Sequence, residues 1–261
     1  MKIISINVNG IRAAARKGMY EWLKKVDADI ICLQELKAQP DQIEGEPYHP
    51  EGMHTYLHAA EKKGYSGVAL YCKQKPDAVH YGLGDGFADA DSEGRYIQAD
   101  FGDLSVASLY MPSGSSKDER QEFKIDLMAR MEPKLKAMIA TGRQYIICGD
   151  WNIVHKKRDI KNWRGNQKRS GFLPEEQHWM KQLPHIGYTD AFRQGNHDKD
   201  EYSWWPSGTI GEGDAWRTDL QIISAVLKNR VEYAMIYKSQ TFSSHLPVIV
   251  DYDLVLESED F

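Results

Sequence analysis

The chain lacks any apolar run approaching the ~20 residues that a membrane-spanning helix needs, so no membrane partner is expected. It also lacks the basic segment, apolar stretch and small-residue cleavage site of a secretory leader, because Met1-Lys2-Ile3 reads directly into a strand. Cysteine is scarce. Cys32, Cys72 and Cys148 are an odd set, each inside an apolar run, which argues against a disulfide framework or a cysteine metal site. Buried, reduced thiols in a cytoplasmic protein are the expectation. Low-complexity linkers and internal repeats are missing too, so residues 1–261 are read as a single domain, large enough to bury a sizeable core. An overall surplus of base is also absent: the net charge is −5, which on its own argues mildly against a nucleic-acid partner.

The distribution of charge says more than its sum. Lys156, Lys157, Arg158, Lys161, Arg164, Lys168 and Arg169 fall within fourteen residues whose one acid is Asp159. Seven bases less one acid make this segment +6 and leave −11 for the rest of the chain. Such a run is either a solvated basic loop or a phosphate-facing one, and Trp163 in its middle favours the second.

Apolar, β-branched runs recur along the chain, at Lys2–Asn7, Asp29–Gln34, Gly67–Tyr71, Arg95–Phe101, Leu104–Tyr110, Gln144–Cys148, Asp219–Ser224, Val231–Ile236 and Val248–Tyr252. Few polar residues interrupt them, as expected of strands buried on both faces. Helices are predicted at Met19–Val26, at Pro174–Leu183 and at Asp118–Ala140, where Phe123, Leu127, Met131 and Leu135 repeat every four residues. Pro133 inside the longest predicts a kink or break. Residues 67–110 are read as several strands with no helix, which rules out simple βαβα alternation. The prediction is two sheets packed face to face with helices outside and an acidic, frayed tail at Glu257–Phe261.

The polar residues of interest sit at strand ends: Asn7-Val8-Asn9-Gly10, Gln34-Glu35, Tyr110, Asp150-Trp151-Asn152, Asp219 and His245. Strand ends on one rim of a sandwich can converge on a single pocket. Each also has a plain structural reading: a solvated Glu35, a turn at Gly149–Asn152, a satisfied His245 and packing roles for Tyr110 and Trp204-Trp205.

The combination resembles the exonuclease III family of apurinic/apyrimidinic endonucleases, within the wider endonuclease/exonuclease/phosphatase superfamily. The matching stretches are Ile4–Arg12, Leu33–Lys37, Leu109–Gly114, Gly149–Asn152, Asp159–Asn162, Ser170–Phe172, Tyr202–Trp205 and Trp216–Asp219, in family order over nearly the whole chain. The resemblance implies a four-layer α/β sandwich and a metal-dependent nuclease. Its cofactor would be Mg²⁺, or Mn²⁺ in its place, held by Glu35 with Asn7 and Asn9 in support; oxygen donors suit such ions. It implies that Asp150 activates or orients water and that Asn152 and Tyr110 contact the phosphate. Asp219 would fix His245, whose charged ring stabilises the transition state. Arg164 and Lys168 would contact DNA backbone, and Trp204, Trp216 and position 218 would line a pocket for an extruded abasic sugar. The implied partner is double-stranded DNA with abasic sites or 3′ ends, bound by a monomer.

Three positions depart from the family pattern. Ser243-Ser244-His245 replaces Ser-Asp-His, so a carboxylate beside the metal is lost and weaker metal binding is expected. Thr218 makes the presumed pocket more polar. Arg169, before the Ser170-Gly171-Phe172 turn, either grips a phosphate or obstructs the pocket. The alternative reading follows from a similarity to catabolite repression control proteins in Ser203–Pro206 and Phe242–His245. Those proteins share the fold without the nuclease motifs and act in translational repression, with RNA and an RNA chaperone as partners. Glu35, Asp150 and Asn152 weigh against that alternative, and the basic loop and the Trp-rich segment favour nucleic acid over lipid phosphodiesters.

Overall fold

A computed structural model describes residues 1–256; the tail expected to fray at Glu257–Phe261 lies outside the described residues. In chain order the strands are β1 (Lys2–Asn7), β2 (Ile30–Gln34), β3 (His54–His58), β4 (Val68–Cys72), β5 (Ala78–Tyr81), β6 (Tyr96–Phe101), β7 (Leu104–Tyr110), β8 (Gln144–Asp150), β9 (Tyr188–Asp190), β10 (Asp219–Ser224), β11 (Val231–Ile236) and β12 (Val248–Tyr252). The helices are α1 (Ile11–Arg16), α2 (Met19–Val26), α3 (Ala88–Ser92), α4 (Asp118–Ala140), α5 (Pro174–Ile186) and α6 (Phe192–Gly195).

The strands form two mixed sheets, ordered β11-β12-β1-β2-β4-β3 and β5-β6-β7-β8-β10-β9. Successive residues of a strand point to opposite faces, and here both faces are covered. Ile3, Ile30, Cys32, Val68 and Leu70 of the first sheet meet Ile97, Val106, Ile146, Cys148 and Ile223 of the second in one core between the sheets. The alternate residues Ile4, Ile6, Ile31 and Leu33 pack outward against Trp22 and Leu23 of α2. On the far side, Leu109, Ile147 and Ile222 pack against Leu127, Met131 and Leu135 of α4 and Trp179 and Leu183 of α5. The result is the expected four-layer sandwich. Cys32, Cys72 and Cys148 are buried and unbridged, as expected.

Three local expectations are corrected. Of the kink or break expected at Pro133, the break does not occur: helix α4 is continuous over Asp118–Ala140. Burial of Leu127, Met131 and Leu135 along one face holds it against the loss of one backbone bond. Helix α5 continues past Leu183, through Pro184, to Ile186. Residues 67–110 do contain a helix, the single turn α3, in which Ala90 alone is buried. So short an element carries no periodic apolar signal.

Gly149 shows why the site sequence is tight. A methyl group there would lie 1.8 Å from the Leu109 carbonyl oxygen on the parallel neighbour β7. Glycine lets β8 close onto β7 up to the strand end, which fixes where Asp150 leaves the sheet.

Candidate active site

Strand register assembles the site. Asp150 ends β8, facing Asp219 at the start of β10 and Tyr110 at the end of β7. Asn7 ends β1 in the opposite sheet, and Glu35 follows β2 directly. The Asn7 side-chain amide donates to Glu35 Oε2 at 2.9 Å and to Asp150 Oδ2 at 2.9 Å, joining the two sheets through two carboxylates. Its oxygen accepts from the Asn9 backbone N–H at 2.9 Å. Asn9, Glu35 and Asn152 all adopt left-handed backbone, at φ 42°, 58° and 49°. Asparagine tolerates this region; for Glu35 it is unusual, and such strain is concentrated at functional sites.

Asp150 and Asn152 form a compact turn. The Asn152 N–H donates to Asp150 Oδ1 at 2.9 Å, and its amide donates to the Met111 carbonyl at 2.8 Å. Burial raises the Asp150 carboxyl to about 7; the His245 charge opposes this and the Asp219 charge adds to it. His245 Nδ1 lies 2.8 Å from Asp219 Oδ2, which also accepts from the Ser203 hydroxyl at 2.6 Å. Burial alone would lower the His245 pKa, but the charges of Asp219 and Asp150 raise it to about 9. Its other nitrogen, Nε2, stands 3.8 Å from Asp150 Oδ2, and Trp204 stacks on the ring at 6.0 Å. A charged imidazole is thus held beside a carboxylate without a short bond between them.

Tyr110 is half-buried, and desolvation pushes its hydroxyl pKa well up, with the Glu35 and Asp150 charges adding. It stays a proton donor at neutral pH. The Arg95 guanidinium lies 5.0 Å from its ring and donates to its backbone carbonyl at 3.0 Å.

Two sets of side chains could hold a cation. Glu35 lies at the rim with Asn7 and Asn9 beside it. Asp150, Asp219 and His245 form an inner, buried group whose ligand atoms all lie within 4.8 Å of one another. Asp219 Oδ1 is buried with no hydrogen-bond partner, an acceptor that a nearby cation would satisfy. The carboxylate and amide oxygens here fit a hard divalent ion. At position 244, the serine hydroxyl accepts from the Asn9 amide at 3.2 Å. The Lys37 ammonium reaches Asn9 Oδ1 at 2.7 Å and lies 3.4 Å from Glu35 Oε1.

The remaining sequence candidates lie around this cluster. Arg164 and Lys168 are exposed on the basic loop, with Arg164 over Trp163 at 4.7 Å. Arg169 donates to Asn166 at 3.1 Å, lies 3.7 Å from Asp214 and sits 6.0 Å from the Trp216 ring. Trp216 is only 2% exposed and meets Trp204 edge-on at 5.8 Å. Gly171, at φ 96°, closes over it, where a methyl group would come within 2.8 Å of the ring. Thr218 is buried, its hydroxyl 3.5 Å from Asp219 Oδ2.

Sequence reasoning missed several supports. Lys124 is fully buried in an ion pair with Glu176 at 2.8 Å and donates to the Asn152 carbonyl at 2.6 Å. Glu176 in turn accepts from the Gly171 N–H at 2.6 Å. Arg217 bridges Asp159 of the basic loop, at 3.1 Å, to Asp190 at 2.6 Å, and Arg193 shares Asp159. A lysine inside an apolar helical repeat, and an acid alone in a basic run, were the signals available.

A family model described as the endonuclease/exonuclease/phosphatase family matches residues 4–251. The chain is 38% identical to an exodeoxyribonuclease of Bacillus subtilis (strain 168), over 95% of this chain and 98% of that protein. It is 36% identical to the DNA repair nuclease APEX1 of Danio rerio, over 95% of this chain and 81% of that protein. Among solved structures, an AP endonuclease from Archaeoglobus fulgidus superposes with a TM-score of 0.87 at 25% identity, covering 97% of this chain and all of that one.

Proposed function

This chain belongs to the endonuclease/exonuclease/phosphatase family, and from that premise we propose that it is a metal-dependent DNA-repair phosphodiesterase of exonuclease III type. Its reactions are incision at abasic sites, 3′→5′ exonuclease action and cleaning of 3′ ends, all of them hydrolysis at a phosphate. The observation that carries this reading is one junction. Asp150 is tied through Asn7 to Glu35, and stands 3.8 Å from a histidine that Asp219 holds charged.

Each side chain has a role that its surroundings support. Ionised Asp150 accepts a proton from water as the water oxygen attacks phosphorus, and the 3′ oxygen leaves. The Asn152 amide, the Tyr110 hydroxyl and protonated His245 donate toward the phosphate oxygens, where negative charge builds. Asp219 and Ser203 keep the imidazole oriented. Glu35, Asn7 and Asn9 would hold Mg²⁺ or Mn²⁺, which when bound supplies positive charge to the phosphate. Arg164 and Lys168 follow the backbone of duplex DNA. Trp204 and Trp216 border the lesion, with Arg169 6.0 Å from the Trp216 ring.

The regulatory alternative, an RNA-binding partner of an RNA chaperone, is not favoured, because the named relatives are nucleases. The test offers purified protein duplexes carrying a stable abasic analogue, a recessed 3′ end or a 3′ phosphate, with Mg²⁺ or with EDTA. Metal-dependent cleavage of at least one substrate is expected. Cleavage of none, with retention of an A-rich RNA in the presence of an RNA chaperone, would overturn the reading.

A further inference from the structure

Between the basic loop and α5 lies a cleft of about 590 Å³ that the proposed reaction does not use. Its walls carry Lys156, Lys157, Arg158 and Lys181, and no carboxylate. Among the described residues none of these four cations forms an ion pair, although acids outnumber bases in the chain by 38 to 33. Among the described residues, Arg169 is the one cation of the same loop that meets an acid, Asp214, and the loop's own acid, Asp159, is taken up by Arg193 and Arg217. The Lys157 ammonium is held on the wall by the Trp163 ring, 4.0 Å from its centroid.

Four unneutralised like charges around a concave surface repel one another and focus a positive field into the hollow. An anion relieves that repulsion. His155, also on the wall, bonds through its ring nitrogens to no group among the described residues. Burial lowers its pKa, so near neutrality it offers a hydrogen bond and not another charge. The volume falls within the ~300–1,000 Å³ typical of small-ligand sites. Phe172 lines the cleft and also packs in the apolar cluster that contains Trp216, so cleft and lesion pocket are neighbours.

We propose that this cleft is a second anion site, which binds a phosphate ester of about one nucleotide in size. Two sources share that chemistry: a free nucleoside monophosphate, such as exonuclease action releases, and the phosphate at the end of a nucleic-acid strand. The natural source rests on the nuclease reading; the binding chemistry does not.

The test is therefore equilibrium binding in EDTA, where no cleavage occurs and failure of the nuclease reading cannot mimic failure of the site. The probes are deoxyadenosine 5′-monophosphate, deoxyadenosine and a 5′-phosphorylated single-stranded oligonucleotide with its unphosphorylated counterpart. The monophosphate should bind, with affinity falling as salt rises, and the nucleoside should not. Charge reversal at two exposed wall positions, Lys157→Glu with Lys181→Glu, should weaken binding at least about tenfold, the worth of one charge-assisted hydrogen bond. Asn152→Ala should leave it unchanged, with urea unfolding confirming that both variants fold. An oligonucleotide that binds tighter than its unphosphorylated counterpart, by a margin the double reversal removes, assigns the strand end; no gain from the 5′ phosphate assigns the free nucleotide. No binding of either phosphate, binding unchanged by the double reversal, or binding abolished by Asn152→Ala would each overturn the proposal.

Discussion

Replacing Asp219 by asparagine tests how the histidine is kept charged. The Asp219 charge is the largest influence raising the His245 pKa to about 9, against the burial that lowers it. Without that charge the Asp150 and Glu35 charges still favour the protonated ring while burial opposes it, so the pKa should fall from about 9 toward the ordinary histidine value of about 6.5. A fall that reached it would remove about 3 kcal/mol of preference for the protonated ring. At pH 8 the protonated fraction would then drop from about 0.9 to about 0.03, so protonation alone would cost up to about 30-fold in rate. Loss of orientation adds to this. The assay is the pH dependence of kcat/KM for cleavage of an abasic or 3′-recessed duplex. Wild-type protein should show an alkaline limb near pH 9, and the variant a limb displaced toward pH 6.5. A variant that keeps the limb near pH 9, or loses activity equally at every pH, would mean that Asp219 is not what holds the ring charged.

Three further outcomes follow from the same geometry. Ser244→Asp should lower the Mg²⁺ concentration that half-saturates activity, because a carboxylate replaces a hydroxyl beside Asn9 and Glu35; saturation unchanged or weaker in the variant would count against this. Lys124→Met leaves Glu176 buried without its partner and should cost about 3–5 kcal/mol in urea unfolding. The double variant Lys124→Met/Glu176→Gln should recover part of that loss, and no recovery would mean that the pair is not the cause. The raised His245 pKa also sets a pH dependence of stability. Its contribution is complete below about pH 6.5, where the unfolded ring is protonated too, and is lost as pH rises through about 9. Stability that rises between pH 7 and 10 relative to a His245→Asn variant would contradict this.

How much could be read in the sequence depended on how local the physics was. Strands β1, β2 and β8 are buried on both faces, so their apolar runs stand out, and α2 announces itself over Met19–Val26. Strand β5 is mostly exposed and α3 is one turn, and neither leaves a pattern. Strand-end positions marked Glu35, Asp150, Asp219 and His245 as a rim, but their roles came from resemblance. What joins them is long-range. Asn7 meets Asp150 across 143 residues, Ser203 secures Asp219, and Lys124 reaches Asn152 from a helix that reads as a plain amphipathic one. No spacing rule carries such contacts, because each depends on how segments distant in the chain pack together.

The most direct test of the central claim is the single-turnover rate of duplex cleavage by Asp150→Asn with saturating Mg²⁺. This carboxylate is the group proposed to accept the proton from water, so the rate should fall by about 10²–10⁴ while DNA binding changes little. Asn152 and Met111 should keep their hydrogen bond, since Asp150 does not make it. A variant that cleaves within about threefold of wild type would contradict the account, whatever metal it requires.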